Sequence, residues 1–295
     1  MTVMPKMEES LFIPHEGSQL FGMLHAPAEP RPARIGVVFC EAFAEEKLWA
    51  QRLIVNFARV LADRGYWVLR FDCRGHGDSG GEFEDSTVAS RLSDIARAVG
   101  FLKKRTAVPI VGLHGLRFGG TLAALAAASG LDVAFLSLWN PIVQGAAYFQ
   151  ECLRSNVVTQ MATYKKVLLT REDLVRSLRE GKPVNIDGYR VSPAFHHEVS
   201  GIDLRQGLGP YTRPVSITQV SKKDGAKPDR DLSVFCEKLR GDKIPVDFQI
   251  VCEEPFWKET RWYIHSSELL FSDTVRRVDG ISGLTGDAGG TRGNL

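Results

Sequence analysis

Two periodicities alternate along this chain. Residues 10–25 alternate and turn: Leu11, Phe12 and Ile13 precede a His-Glu-Gly-Ser break, and Leu20, Phe21, Met23 and Leu24 follow it. That pattern predicts an antiparallel β-hairpin. A proline-rich connector, Pro27 to Pro32, leads to the continuous apolar run Ile35 to Cys40, as expected for a strand buried on both faces. Helical spacing follows over Leu48 to Arg64, with Leu53, Phe57, Val60 and Leu61 on one stripe and Gly65 as the stop. Tyr66 to Phe71 is a second buried strand, and Thr87 to Lys104 a second amphipathic helix carrying Leu92, Ile95, Val99 and Leu102. Val108 to Ala128 reads as a buried strand, a glycine-flanked turn and an alanine-rich helix, and Leu131 to Leu138 as a fourth buried strand.

After Pro141 the pattern changes. Tyr148 to Val158 and Met161 to Leu169 have helical character, a further helix starts at Arg171, and no long apolar strand occurs before Ser200. Strands resume at Pro214 to Val220 and Pro245 to Cys252, separated by a helix from Arg230 to Leu239, and a last helix covers roughly Thr260 to Val278. Buried strands alternating with amphipathic helices predict an α/β fold: a mostly parallel sheet covered on both faces, with the hairpin as an antiparallel edge. The expected organisation is one domain over 1–278, a helical cap inserted at 141–200, and a disordered tail at 279–295 that is rich in Gly, Asp, Thr and Ser.

Composition narrows the function classes. Of 295 residues, 44% are apolar and 24% charged, which is ordinary for a soluble globular chain. The net charge of +2 supplies no global field toward nucleic acid or an anionic membrane. The longest apolar runs are too short to span a bilayer, and the N-terminus has no signal-peptide core, so a cytoplasmic location is expected. The five cysteines, Cys40, Cys73, Cys152, Cys236 and Cys252, form no C-x-x-C pair or Cys/His cluster. Reduced thiols, no metal site and no cofactor are expected.

The chemistry centres on Gly115-Leu116-Arg117-Phe118-Gly119. A glycine-framed turn between strand and helix has the form of a nucleophile elbow, G-x-S-x-G, with arginine at the nucleophile position. The second strand runs into Asp72-Cys-Arg-Gly-His-Gly-Asp-Ser79, which looks like the D-x-R-G-H-G-x-S turn of α/β-hydrolases. In this order and these strand contexts, the two motifs resemble the α/β-hydrolase superfamily from about Leu11 to Val278. A narrower resemblance rests on the Gly-Leu-Arg elbow, the Val-Ser-Lys-Lys-Asp-Gly loop after a late strand and Glu-Pro-Phe-Trp after the last strand. These are similar to the exosortase A system-associated hydrolase 2 family, which implies a role linked to bacterial exopolysaccharide or protein-sorting systems.

Acyl transfer on such a fold needs a nucleophile, a histidine oriented by a carboxylate, and backbone donors for an oxyanion. Arg117 stays protonated and cannot attack a carbonyl. The nearest hydroxyl, Thr121, points along the helix. Asp224 has the spacing of the triad acid and equally suits a solvated Asp-Gly turn. Proline stands where the histidine is expected in Cys252-Glu-Glu-Pro-Phe-Trp257. His265 reads as a surface residue, His76 as shaping its loop and His114 as a hydrogen-bonded core residue. Glu41, at the usual oxyanion loop, opposes an oxyanion and is a candidate partner for Arg117. Two roles remain open for Arg117: an internal salt bridge to Glu41 or Asp224, or an anion site at a helix N-terminus. The ligand-facing candidates are Arg117, Leu116, Phe118, Glu41 and Ala42, for a small-molecule, acyl or sugar-phosphate ligand. The expectation is a ligand-binding accessory protein with an incomplete triad. The alternatives are an ester or acyl hydrolase using Cys40 or Ser79 with His196 or His197, and a purely structural partner protein.

Overall fold

The computed structural model describes residues 7–32, 34–258 and 266–286. An eight-stranded sheet runs through the molecule in the order β1-β2-β4-β3-β5-β6-β9-β10. Strands β1 (Met7–His15) and β2 (Ser18–Ala26) form the predicted hairpin, in register from Met7↔Ala26 to His15↔Ser18. β2 also pairs antiparallel with β4 (Trp67–Phe71). The remaining neighbours are parallel: β3 (Ile35–Cys40), β5 (Ile110–Leu116), β6 (Leu136–Trp139), β9 (Val215–Ser221) and β10 (Val246–Cys252). β3 is buried at every position, as its unbroken apolar run requires of a strand covered on both faces.

Two apolar layers sandwich the sheet. On one face α1 (Glu45–Asp63) and α8 (Glu268–Gly286) bury Leu53, Phe57, Leu61, Leu270 and Val275. On the other, α2 (Val88–Thr106), α3 (Phe118–Ala128) and α7 (Arg230–Gly241) bury Ile95, Val99, Leu122, Phe235 and Leu239. Thr87 starts α2 with a reciprocal cap: its side chain accepts from Ser90 N–H while Ser90 Oγ accepts from Thr87 N–H. No helix among the described residues is long and apolar enough to cross a membrane.

Several boundaries differ from the pattern reading, and of the predicted strand Leu131 to Leu138 only the part from Leu136 is strand, as β6. α4 is one helix over Gly145–Tyr164, and Val167 to Leu169 lie in the loop after it rather than in a second helix. Between α5 (Arg171–Arg179) and α6 (Pro193–Ser200) a short hairpin forms, β7 (Val184–Ile186) with β8 (Tyr189–Val191). Three-residue strands are too short for a period-2 pattern to register. Finally, α8 continues past Val278 to Gly286. Asp279, assigned to the tail from composition, accepts from Tyr66 Oη at 2.6 Å and pairs with Arg31. His265 and the start of the predicted last helix lie outside the described residues, as do 287–295.

Candidate functional site

The turn between β5 and α3 holds Arg117 at φ 54°, ψ −122°, a backbone conformation that is strained for any L-residue. Two glycines make the turn possible. A Cβ on Gly119 would overlap the Cys40 carbonyl oxygen, and one on Gly115 would lie 2.5 Å from the Gly119 carbonyl group. The elbow geometry read from the sequence is present, with the arginine at its apex.

The guanidinium bridges two carboxylates. Arg117 Nε donates to Glu46 Oε1 at 2.8 Å, and a terminal nitrogen donates to Glu151 Oε2 at 3.0 Å. Tyr148 Oη donates to the other Glu46 oxygen at 2.9 Å, and Lys258 Nζ pairs with Glu151 at 3.0 Å. The cation also lies 5.4 Å from the Tyr148 ring centre and 5.5 Å from that of Trp257, within cation–π range. Two cations and two carboxylates thus close a balanced cluster. Its members come from four places in the chain: Arg117 from the elbow, Glu46 from the first turn of α1, Tyr148 and Glu151 from α4, and Trp257 and Lys258 from the loop after β10.

Burial acts against charge throughout this cluster. It lowers the Arg117 pKa, but the Glu46 and Glu151 carboxylates outweigh it and keep the guanidinium ionised. Burial raises the Glu46 carboxyl, and there it wins over Arg117. At the more open Glu151, burial is outweighed by Arg117 and Lys258, and the carboxyl falls below its ordinary value. Burial pushes the Tyr148 phenol well up.

The cluster is a wall between two cavities. One, of about 620 Å³, is lined by Phe43, Trp49, Tyr148, Trp257, Glu151 and Arg154, among others. The other, of about 390 Å³, is more polar and is bounded by Arg117, Asn140, Gln144, Gln219, Ser221 and Asp231, among others. Tyr148, Glu151 and Arg154 border both.

Glu41 does not meet Arg117. Its carboxylate is only 5% exposed and belongs to a separate network with Lys47 at 2.7 Å, His76 Nδ1 at 2.8 Å, Arg91 at 3.3 Å and the Cys73 N–H at 3.1 Å. Lys47 in turn binds Asp72 at 2.6 Å. Burial raises the Glu41 pKa, but the charges of His76, Lys47 and Arg91 and the His76 hydrogen bond bring it well below the usual carboxylate range. The reason for the separation is local. Glu41 directly follows β3 and turns toward the Asp72–Ser79 loop, whereas Glu46 lies in the first turn of α1 and faces the elbow.

Of the ligand-facing candidates, only Arg117 lines a cavity beside the elbow, the smaller and more polar one; none of them lines the larger. Leu116, Glu41 and Ala42 border a third cavity, of about 350 Å³, between α1 and strands β2, β3 and β4, and Phe118 is buried in the core against Phe43 and Tyr148. Asp224 is exposed in the loop after β9 and pairs with neither Arg117 nor a histidine among the described residues. Thr121 is sealed in, donating to the Ile142 carbonyl at 2.8 Å.

The alternative nucleophiles and bases are also apart. Ser79 Oγ donates to the Asp72 carbonyl and accepts from Phe21 N–H. Burial and the Glu41 charge raise the Cys40 thiol far above neutrality. His196 packs on the Phe149 ring and His197 is exposed on α6. Cys152 does line the larger cavity, but burial and Glu46 raise its thiol too, which removes the reactive thiolate. Serine hydroxyls do meet histidines at His114–Ser137, 3.1 Å, and His15–Ser93, 2.9 Å. The first pair is buried in the sheet, where burial lowers His114 to about 3. In the second, Asp94 approaches the same Nε2 that faces Ser93, so no relay through the ring exists. No group of three metal-ligating side chains occurs among the described residues.

Glu46, Glu151, Trp257, Lys258 and Trp49 escaped the sequence reading. A usable signal existed for the first: ligand sites of open α/β sheets lie at the carboxyl ends of the strands, so the first turn after β3 faces the elbow.

The strand order and the elbow define an α/β-hydrolase fold. The family model for serine aminopeptidase, S33, matches residues 32–201, and the chain belongs to that family. No curated protein matches the sequence. Among solved structures, Est1E from Butyrivibrio proteoclasticus with bound ferulic acid is 22% identical, with a TM-score of 0.66 over 92% of this chain and 99% of its own. The esterase Pf2001 from Pyrococcus furiosus is 15% identical, with a TM-score of 0.63 over 95% and 91%. A putative hydrolase from Agrobacterium vitis is 16% identical, with a TM-score of 0.57 over 94% and 99%. At these identities the likeness is one of fold.

Proposed function

We propose that this chain is a ligand-binding member of its family that does not hydrolyse esters through its elbow. The observation that carries the reading is Arg117. The apex where the family's reaction needs a serine holds a permanently charged side chain, tied down by Glu46 and Glu151. The positive charge is already balanced inside the protein, so a bare anion gains little there. The larger cavity instead offers aromatic faces from Trp49, Tyr148 and Trp257 beside Glu45, Asp187, Arg154 and Lys258. Flat apolar faces ringed by hydrogen-bonding groups suit a sugar or a sugar phosphate. That class of ligand accords with the resemblance to the exosortase A system-associated hydrolase 2 family and its exopolysaccharide setting. Five free cysteines accord with a reducing, cytoplasmic compartment.

The test has two arms. A fluorophosphonate probe and a panel of short-chain aryl esters should give neither labelling nor turnover. Titration with hexose phosphates should change the fluorescence of Trp49 or Trp257, and Trp257→Phe should diminish that change. Turnover that survives Arg117→Ala and disappears on replacing one serine or cysteine would establish the rival reading, an ester hydrolase with a displaced nucleophile.

A further inference from the structure

The C-terminal half of α4 inverts the usual arrangement of a surface helix. Its inward positions carry Asn156 and Gln160, 6% and 7% exposed, while Val158 and Met161 on the solvent side are 69% and 47% exposed. All residues from Met161 to Thr170 are exposed, including Tyr164, Val167, Leu168 and Leu169. Of the ten large apolar side chains exposed among the described residues, six lie between Val158 and Leu169, and the other four are scattered over β1, α1, α7 and α8. Scattered apolar residues are ordinary, whereas a concentration of this kind marks a contact surface.

The loop is held in this presentation. Gln160 Oε1 accepts from the N–H groups of Leu168 and Leu169 at 2.8 and 2.9 Å, and its amide donates to the Leu169 carbonyl at 3.1 Å. Asn156 bridges Gln160 to Asp187. Buried polar residues that would ordinarily face water instead pin an apolar loop outward. Val158 and Val167 line one shallow groove, which makes the helix end and the loop a single surface.

Charge selects the partner. From Cys152 to Arg171 the chain carries Arg154, Lys165, Lys166 and Arg171 and no carboxylate, although the whole chain is only +2. Arg171 is paired with Glu172, while Arg154, Lys165 and Lys166 have no carboxylate partner among the described residues. Lysines beside leucine, valine, methionine and tyrosine suit the headgroup layer of an anionic bilayer. Lysine is depleted in protein–protein interfaces, which weighs against a second copy of the chain as the occupant.

We propose that the Val158–Leu169 projection docks this protein on an anionic lipid surface, with Leu168, Leu169 and Met161 entering the interface and Lys165 and Lys166 contacting headgroups. Val158 and Arg154 also line the larger elbow cavity, so docking sets the mouth of that cavity against the lipid. The docking itself does not depend on what the cavity binds.

Flotation of the full chain with vesicles tests this. Binding is expected to vesicles holding roughly one-third phosphatidylglycerol at about 0.1 M salt, and to fall about tenfold or more on phosphatidylcholine alone or at about 1 M salt. Leu168→Asp with Leu169→Asp should abolish it, and Lys165→Glu with Lys166→Glu should weaken it about tenfold or more. Leu269→Asp, at an exposed apolar position outside the projection, should leave it unchanged. All these side chains are exposed, and circular dichroism checks that each variant is folded. The proposal is overturned if wild type ignores both vesicle types, if the Leu168/Leu169 variant binds as wild type does, or if wild type is a dimer in solution that those substitutions dissociate.

Discussion

Two charge clusters grow from the same loop and meet different fates. Glu41 leaves β3 and is enclosed by Lys47, His76, Arg91 and the Cys73 backbone. Glu46, five positions on, reaches Arg117 at the wall of two cavities. In the first, Arg91 is wholly buried under the rings of Phe43, Phe83 and Phe195 and the Glu41 carboxylate is only 5% exposed, and the network reaches the third cavity through Glu41, Lys47 and Asp72. In the second, aromatic rings flank the cation but leave Glu151 and Lys258 open to solvent, at 41% and 56% exposure. A network this enclosed sets the position of a loop. An open one of similar composition can respond to what enters the cavity. Enclosure, more than the identity of the charges, separates scaffold from site.

The comparison can be broken at its strongest point first. Glu41→Gln leaves the buried Arg91 without its carboxylate and Lys47 with Asp72 alone, and should cost about 3 kcal/mol or more by denaturant unfolding. A variant as stable as wild type would show that the network is not structural. The same carboxylate sets a pH response. Its native pKa is depressed, so its contribution is complete above the unfolded carboxylate value of about 4.3 and is lost as pH falls toward the native value. Wild type should therefore lose stability on acidification below about pH 4.3, and Glu41→Gln should flatten that limb of the profile.

Arg117→Ala comes next. It leaves Glu46 buried without its cation, and a loss of about 1–3 kcal/mol is expected, less than at Glu41 because Glu46 can protonate and Glu151 keeps Lys258. Arg117→Ser should lose similar stability and gain no ester turnover, since no histidine among the described residues stands at the elbow. Burst kinetics with an aryl ester would reveal an acyl-enzyme if one formed. The smallest effect belongs to Lys258→Ala. Its exposed pair with Glu151 should contribute less than about 1 kcal/mol, which a thermal melt checks.

Much of the fold was legible because strand burial and helix stripes are local patterns. The run Ile35 to Cys40 maps onto β3 at the same residues, and the stretch Val108 to Ala128 holds β5, the turn and α3 in the order read. The split of α4 into two helices failed because Val167 to Leu169 continue an apolar pattern that Gln160 terminates from below, through side-chain contacts that spacing does not encode. At the site, the elbow and its arginine were readable from glycine spacing. Glu46, Glu151 and Trp257 were not, because they converge from three elements far apart in the chain. Glu41 was nearer in sequence to the expected oxyanion loop and drew the pairing that Glu46 makes.

The packing of Gly115 and Gly119 has an evolutionary consequence. Both glycines serve the close approach of backbone to backbone, and none of these close contacts involves the side chain at the apex. The turn is therefore a mounting whose shape is independent of what is mounted on it. A lineage can exchange the group at the apex in one codon change without rebuilding the sheet, and catalytic and non-catalytic descendants of one scaffold need differ first only in the few side chains that gather around that point.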